Sequence, residues 1–398
     1  MSEEGDSASG RNEDREGGAS PDLRVAGDPR EVADSEFALL LTHDVDRPYK
    51  TIQSAYHAIE HRDPRQLLDL LPGRNPWWQF EEILELEDSL GVRSAFYFLR
   101  EKHLLERPPG DWLDPFYWIE QFGRYELETP EMLDLLDRLR AGGWEVGLHG
   151  SYDSYDDRDR LRMEKVTLES ALGEEVVGGR QHHLNRGSAT WTHHREVGLR
   201  YDASPGSSET TGFDHGYLPC RPFDDEFVVF PLTVMEAALP DPGDDFGAAW
   251  AECESLLAEA AENGAVMSAL WHPRLFTERD FPGYRRLYRR LVERALEMGA
   301  WVGSPRDYYE MMAHPDGGRA ENGGRAENGG RTADDRRAES CGHTADDELA
   351  ADDGSARSEP SGDGVGARRS GDRHRSDLRL SQADDNKVKT GANTESTG

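Results

Sequence analysis

The chain is 398 residues long with a formal net charge of −33, from 79 acidic residues against 46 lysines and arginines. Such a surface repels DNA and anionic membranes, so no nucleic-acid partner is expected. No run of about 18 apolar residues occurs, which leaves no expected membrane-spanning helix. The acidic N-terminus lacks an apolar signal-peptide core, so a cytoplasmic location is the expectation.

Cys220, Cys253 and Cys341 are odd in number and irregularly spaced, against a disulfide framework or a thiolate zinc site. Residues 1–34 are rich in Ser, Gly, Asp and Glu, and residues 315–398 are low-complexity, with Gly-Gly-Arg-Ala-Glu-Asn repeated. Neither stretch has the apolar side chains to offset its ordering entropy, so both are expected to be disordered tails. The remainder, 35–314, suits one (β/α) barrel-like domain. The basic residues are almost all Arg, with lysine only at 50, 102, 165, 387 and 389. Acidity with so little lysine resembles proteins of salt-loving archaea, where concentrated salt screens self-repulsion, and a halophilic protein is expected.

In chain order, the apolar run Phe37–Leu41 ends in Thr42-His43-Asp44-Val45-Asp46. A strand continued through it has a period of two, which sends Asp44 and Asp46 to the same side, one for a cation and one for a proton. Loops and short helices follow to Trp78, where Trp78, Ile83, Leu84, Leu86 and Leu90 recur at helical spacing and Gly91 closes the helix. Ala95–Leu99 reads as a strand. Residues 111–128 are aromatic-rich and irregular, for packing on the barrel or lining a sugar cleft. Thr129 and Pro130 read as cap and first residue of a helix with a buried stripe at Met132, Leu135, Leu136 and Leu139.

The strand Trp144–Leu148 then ends in His149. A helix over Arg158–Leu172 leads to a short strand at Val176-Val177 that ends in Arg180-Gln181-His182-His183. A helix near Trp191–Val197 precedes Leu199–Asp202, a strand ending in an acid. After Phe227–Leu232 come a helix over Gly247–Glu262, a strand Val266–Trp271 ending in His272, a helix Tyr284–Met298 and a last strand Ala300–Val302. Strand and helix alternate about seven times, the pattern of parallel β/α units. Several strands end in a chemically competent residue, and in a closed parallel barrel those ends share one mouth.

Those strand ends, in that order, resemble the polysaccharide deacetylase family, also called the NodB-homology or carbohydrate esterase family 4 group, over about residues 37–310. The branch with His-Asp-Val-Asp first and Arg-Gln-His third is the most similar. The resemblance implies an α/β fold, a distorted (β/α)7 barrel, and hydrolysis of an N-acetyl group on a sugar by metal-activated water. It implies Asp44 as general base, Asp46 as metal ligand, Arg180 as the arginine that positions the base, and Asp202 as the acid that tunes His272, the general acid. The second motif falls on His149-Gly150-Ser151-Tyr152-Asp153, where Asp153 stands in place of a second His ligand.

The chemistry also follows from the residue types. Amide hydrolysis needs an activated water, a polarised carbonyl and a proton for the leaving nitrogen, which a divalent metal, a carboxylate and an imidazole supply. Asp46, His149 and Asp153 suit Zn²⁺ first, with Mn²⁺, Mg²⁺ or Co²⁺ as other choices. If Asp153 is instead a turn or cap residue, His182 or His183 completes the site. Arg221, Tyr152 and Trp271 are candidate substrate contacts. A metal-dependent carbohydrate N-deacetylase is expected. The alternatives are a barrel that binds glycan without hydrolysis and a hydrolase of the same fold acting on a non-sugar amide. The sugar and the oligomeric state are not encoded in any motif.

Overall fold

The computed structural model describes residues 23–314, apart from Ile52, His61, Pro72 and Asp114. Of the tails expected at 1–34 and 315–398, residues 1–22 and 315–398 lie outside the described residues. The expected boundary at 34 falls too late. Arg24–Val25 forms a strand, and Pro29–Val32 forms a helix capped by Asp28, whose carboxylate accepts from the Arg30 N–H.

The strands are β1 (Arg24–Val25), β2 (Ala38–Val45), β3 (Ala95–Leu99), β4 (Glu145–Gly150), β5 (Gly178–Gln181), β6 (Tyr201–Asp202), β7 (Cys220–Arg221), β8 (Val228–Val229), β9 (Val234–Met235), β10 (Val266–Leu270) and β11 (Trp301–Gly303). They form one sheet in the order β1-β7-β8-β6-β5-β4-β3-β2-β10-β9, with β11 also on β2. The sheet is parallel from β8 to β9, and β7 turns antiparallel to meet β1 at the other edge. The expected distorted barrel is present as an α/β half-barrel, a curled sheet backed by helices.

β2 is the hub. Residues 38–42 pair with β10, while 38–40 pair with β11 and 42–45 with β3. Alternation along it sorts the two sides of the sheet. Ala38 and Leu40 pack inside with Tyr97, Tyr201, Phe230 and Tyr308. Leu39, Leu41 and Val45 face the helices, among Phe80, Ile83, Leu135 and Leu291. Thr42, Asp44 and Asp46 continue the inner face upward to the mouth.

The helices behave as their caps dictate. The helix Phe80–Leu90 stops at Gly91 with φ 69°, and Pro130–Gly142 begins at Thr129, whose hydroxyl accepts from the Met132 N–H, and stops at Gly143 with φ 81°. Residues 111–128 are more regular than expected, with a helix over Pro115–Gly123. Trp112, Trp118 and Phe122 are partly solvent-exposed there, whereas Tyr125 is buried and its hydroxyl donates to the Val45 carbonyl.

Two further features brace the mouth. Beneath it, the Tyr97 and Tyr201 hydroxyls lie 3.0 Å apart, and Tyr201 bonds to the Glu145 carboxyl. A Cβ on Gly178 would lie 2.0 Å from the Tyr201 ring, so only glycine lets that ring lie against the strand. Burial pushes the Glu145 carboxyl up to about 7. Beside the mouth, the buried Lys50 Nζ donates to Asp280 Oδ2 at 2.6 Å and Gln66 Oε1 at 2.5 Å, and Trp77 Nε1 donates to Asp280 at 3.0 Å. This latch joins the segment after β2 to the segment after β10. Burial opposes the Asp280 charge, but the Lys50 hydrogen bond overcomes it and holds the carboxyl at about 2.

Candidate active site

The C-terminal ends of β2, β4 and β5 bring Asp44, Asp46, His149, Arg180 and His182 together, and the residue after β10 adds His272. Asp44 Oδ1 accepts from Arg180 Nη1 at 2.8 Å. The same guanidinium nitrogen donates to Thr42 Oγ1 at 3.0 Å, and Arg180 Nε donates to the Ala203 carbonyl at 2.8 Å. Arg180 is thus locked from three directions, and the Tyr97 ring lies below it at 5.2 Å.

Asp46 has different company. Its Oδ1 lies 3.1 Å from His149 Nε2 and 4.0 Å from His182 Nε2, and its Oδ2 lies 3.0 Å from His272 Nε2. His149 Nδ1 is 2.9 Å from the Arg180 carbonyl, which can only accept, so Nδ1 carries a proton and Nε2 faces Asp46. His182 Nδ1 faces Glu101 Oε1 at 3.5 Å. Each imidazole is backed on its far nitrogen by an oxygen, the arrangement that orients metal-binding histidines.

One donor atom from each of Asp46, His149 and His182 lies within 4.8 Å of the others. Asp46 Oδ1 is buried and accepts no well-aligned hydrogen bond, although His149 Nε2 is close. A carboxylate oxygen and two imidazole nitrogens that converge in this way fit a cation, and one carboxylate with two imidazoles is a donor set used by catalytic zinc.

Electrostatics separate the groups. Burial would raise the Asp46 pKa, but the His272 charge and the bonds from His149 and His272 hold it well below the carboxylate range. Burial likewise opposes the charged form of His272, yet Glu236 lifts it to about 9. Glu101 is held at about 2 by His182 against the same burial.

Several sequence expectations need correction. Asp153 is not in the ligand cluster: its Oδ2 accepts from Arg107 Nη1 at 2.8 Å and lies 3.7 Å from Lys102 Nζ. His182, the alternative, occupies the place. The residue after it, His183, has φ 55°, a left-handed turn that carries its ring toward Tyr152 while His182 stays on Asp46. Asp202 does not reach His272. It accepts from Trp191 Nε1 at 2.9 Å and Ser204 Oγ at 2.5 Å. The partner of His272 is Glu236, with Oε1 2.5 Å from Nδ1. Glu236 directly follows β9 and carries the same signal as the other sites, an acid at a strand end.

Trp271 is fully buried among Tyr284 and Tyr288 on the helix side of the sheet, so it cannot touch substrate. Arg221 lies on the antiparallel β7, and its guanidinium donates to the Asp225 carbonyl, away from the cluster. Tyr152 does border the site. Its N–H donates to Glu101 Oε1 at 2.6 Å and its ring meets His183 edge-on. Glu101 and Arg274 are additional mouth residues that no motif announced.

No family model matches the chain, and no curated protein does. Similar solved structures include a chain from Mycobacterium smegmatis assigned as a polysaccharide deacetylase, 17% identical, with 74% of this chain and 96% of that one covered at a TM-score of 0.47. PuuE allantoinase is 16% identical over 73% of this chain and 95% of its own, at 0.47. A CE4 family pseudoenzyme from Bacillus anthracis is 13% identical over 68% of this chain and 65% of its own, at 0.35.

Proposed function

We propose that the protein is a metal-dependent hydrolase that removes N-acetyl groups from a carbohydrate. The observation that carries this reading is the division of labour between two carboxylates on one strand face: Asp46 meets two imidazoles, while Asp44 is held by Arg180. A divalent cation, zinc by the donor set, would be held by Asp46, His149 and His182 and would supply Lewis acidity for the amide carbonyl and for a bound water.

The chain's own residues do the rest. Asp44 accepts the proton of the attacking water, and Arg180 keeps its carboxylate aimed. His272, with Nδ1 bonded to Glu236, presents Nε2 to the mouth and delivers a proton to the leaving nitrogen. Acetate and a free amine are the products. Trp112, Trp118 and Phe122, exposed on the segment after β3, offer apolar faces to sugar rings. A binding-only barrel drew its support from the missing second imidazole, and His182 removes that support.

The test is to purify the protein in concentrated salt, measure bound metal, and assay acetate release from acetamido sugars with and without chelator. Metal near one equivalent and chelator-sensitive acetate release are expected. No metal together with no acetate from any acetamido sugar sinks the reading.

A further inference from the structure

Leu39, Leu41, His43 and Val45 share the helix-facing side of β2, where His43 alone of the four is polar. It is wholly buried. Its ring stacks on Phe96 at 4.7 Å and meets Phe276 and Tyr288 at 5.9 and 5.4 Å. A polar ring in such company is costly unless hydrogen bonds hold it.

Both of its nitrogens are engaged. Nδ1 lies 2.6 Å from the Trp271 carbonyl, which can only accept, so Nδ1 donates. Nε2 lies 3.1 Å from Glu87 Oε1 and 3.3 Å from the Tyr288 hydroxyl. Glu87 is itself fixed, because Oε1 accepts from Tyr288 at 2.6 Å and Oε2 accepts from Trp144 Nε1 at 2.7 Å and Ser94 Oγ at 2.9 Å. The ring is thus anchored to the helix Phe80–Leu90 and reaches from there to the end of β10. The pairing of β10 with β2 ends at Leu270 opposite Thr42, with the Trp271 N–H on the Thr42 carbonyl. His43 holds the peptide group that comes next, the one joining Trp271 to His272, and its own backbone leads directly into Asp44.

We infer that His43 is a positioning residue for the proposed reaction: through Nδ1 it fixes the Trp271–His272 peptide, and so the general acid, against the strand that carries the general base. Sealed from the mouth, it acts only through His272. This rests on the deacetylase reading. An acetamide needs a proton on its nitrogen as the C–N bond breaks, whereas an aryl acetate expels a phenolate without one. Misplacing His272 should therefore slow the first substrate and spare the second.

His43→Asn puts an amide nitrogen where Nδ1 was, while His43→Gln puts one where Nε2 was and gives up the Trp271 bond. For each, bound metal and melting temperature are measured, and kcat and KM are compared on an acetamido sugar and on p-nitrophenyl acetate. His43→Gln should lower kcat on the sugar by at least about tenfold with KM little changed, and leave the aryl ester rate and the bound metal near native. His43→Asn should recover most of the loss. His43→Leu carries the same expectation as His43→Gln and decides the matter if that variant unfolds. Equal loss on both substrates, loss of metal, or Gln and Asn variants that behave alike overturns this inference alone. A native chain that releases no acetate from any acetamido sugar overturns the deacetylase reading and this inference with it.

Discussion

Asp44 and Asp46 leave the same face of one strand, yet their neighbours give them different failures. Asp46→Asn should lose both metal and turnover. Asp44→Asn should keep its metal and lose turnover by about a thousandfold, the scale of a general base. Elemental analysis beside acetate release separates them, and equal metal loss in both would reverse the assignment. Likewise His182→Gln should empty the site, whereas Asp153→Asn, which only loosens the ion pair with Arg107, should retain metal. Metal loss in Asp153→Asn alone would restore Asp153 as the ligand. Asp44, Asp46, His149, Arg180 and His272 were legible because each follows an apolar run. His182 was legible only as an alternative, since its aim depends on the left-handed backbone at His183. The partner of His272 was hidden for another reason. Choosing Glu236 over Asp202 requires knowing that β9, not β6, lies beside β10, and strand order is not written in spacing.

At the level of elements, long strands and capped helices could be read from period and caps, while two-residue strands could not. The helix Arg158–Leu172 and the strand Ala95–Leu99 match their expected limits. β9 has too few residues to show alternation, so its acid went unnoticed. Trp271 shows the parity rule from the other side, since the residue before His272 must face the helices. Within β4, Glu145 lies under the tyrosine pair and its Oε2 accepts from the Arg306 N–H at 2.9 Å. Because its folded pKa of about 7 lies above the usual 4.5, the folded state holds the extra proton between those values. Its neutral form is therefore favoured in the fold, and stability falls as pH rises through this window. Glu145→Gln keeps the shape and an amide oxygen for Arg306. The variant should gain on the native chain by up to about 3 kcal/mol between pH 5 and 8, read by denaturant unfolding at both pH values. An unchanged difference across that range would show that Glu145 is ionised throughout.

For the molecule as a whole, the charge of −33 predicts a strong salt response. The melting temperature should climb steeply between about 0.1 M and about 3 M KCl as the Debye length contracts, and a flat curve would remove the halophilic expectation. The curled sheet carries its candidate site residues at one rim, and the Lys50 latch closes the excursion of that rim from β2 round to the helix Phe80–Leu90. Lys50 is one of only five lysines and its ammonium is wholly enclosed. An acylating reagent can reach that amine only when the excursion lifts away and Asp280 lets go. The rate at which Lys50 is labelled, followed by mass spectrometry, is therefore a clock for the opening of this side of the mouth, and a bound substrate that spans the cleft should slow it.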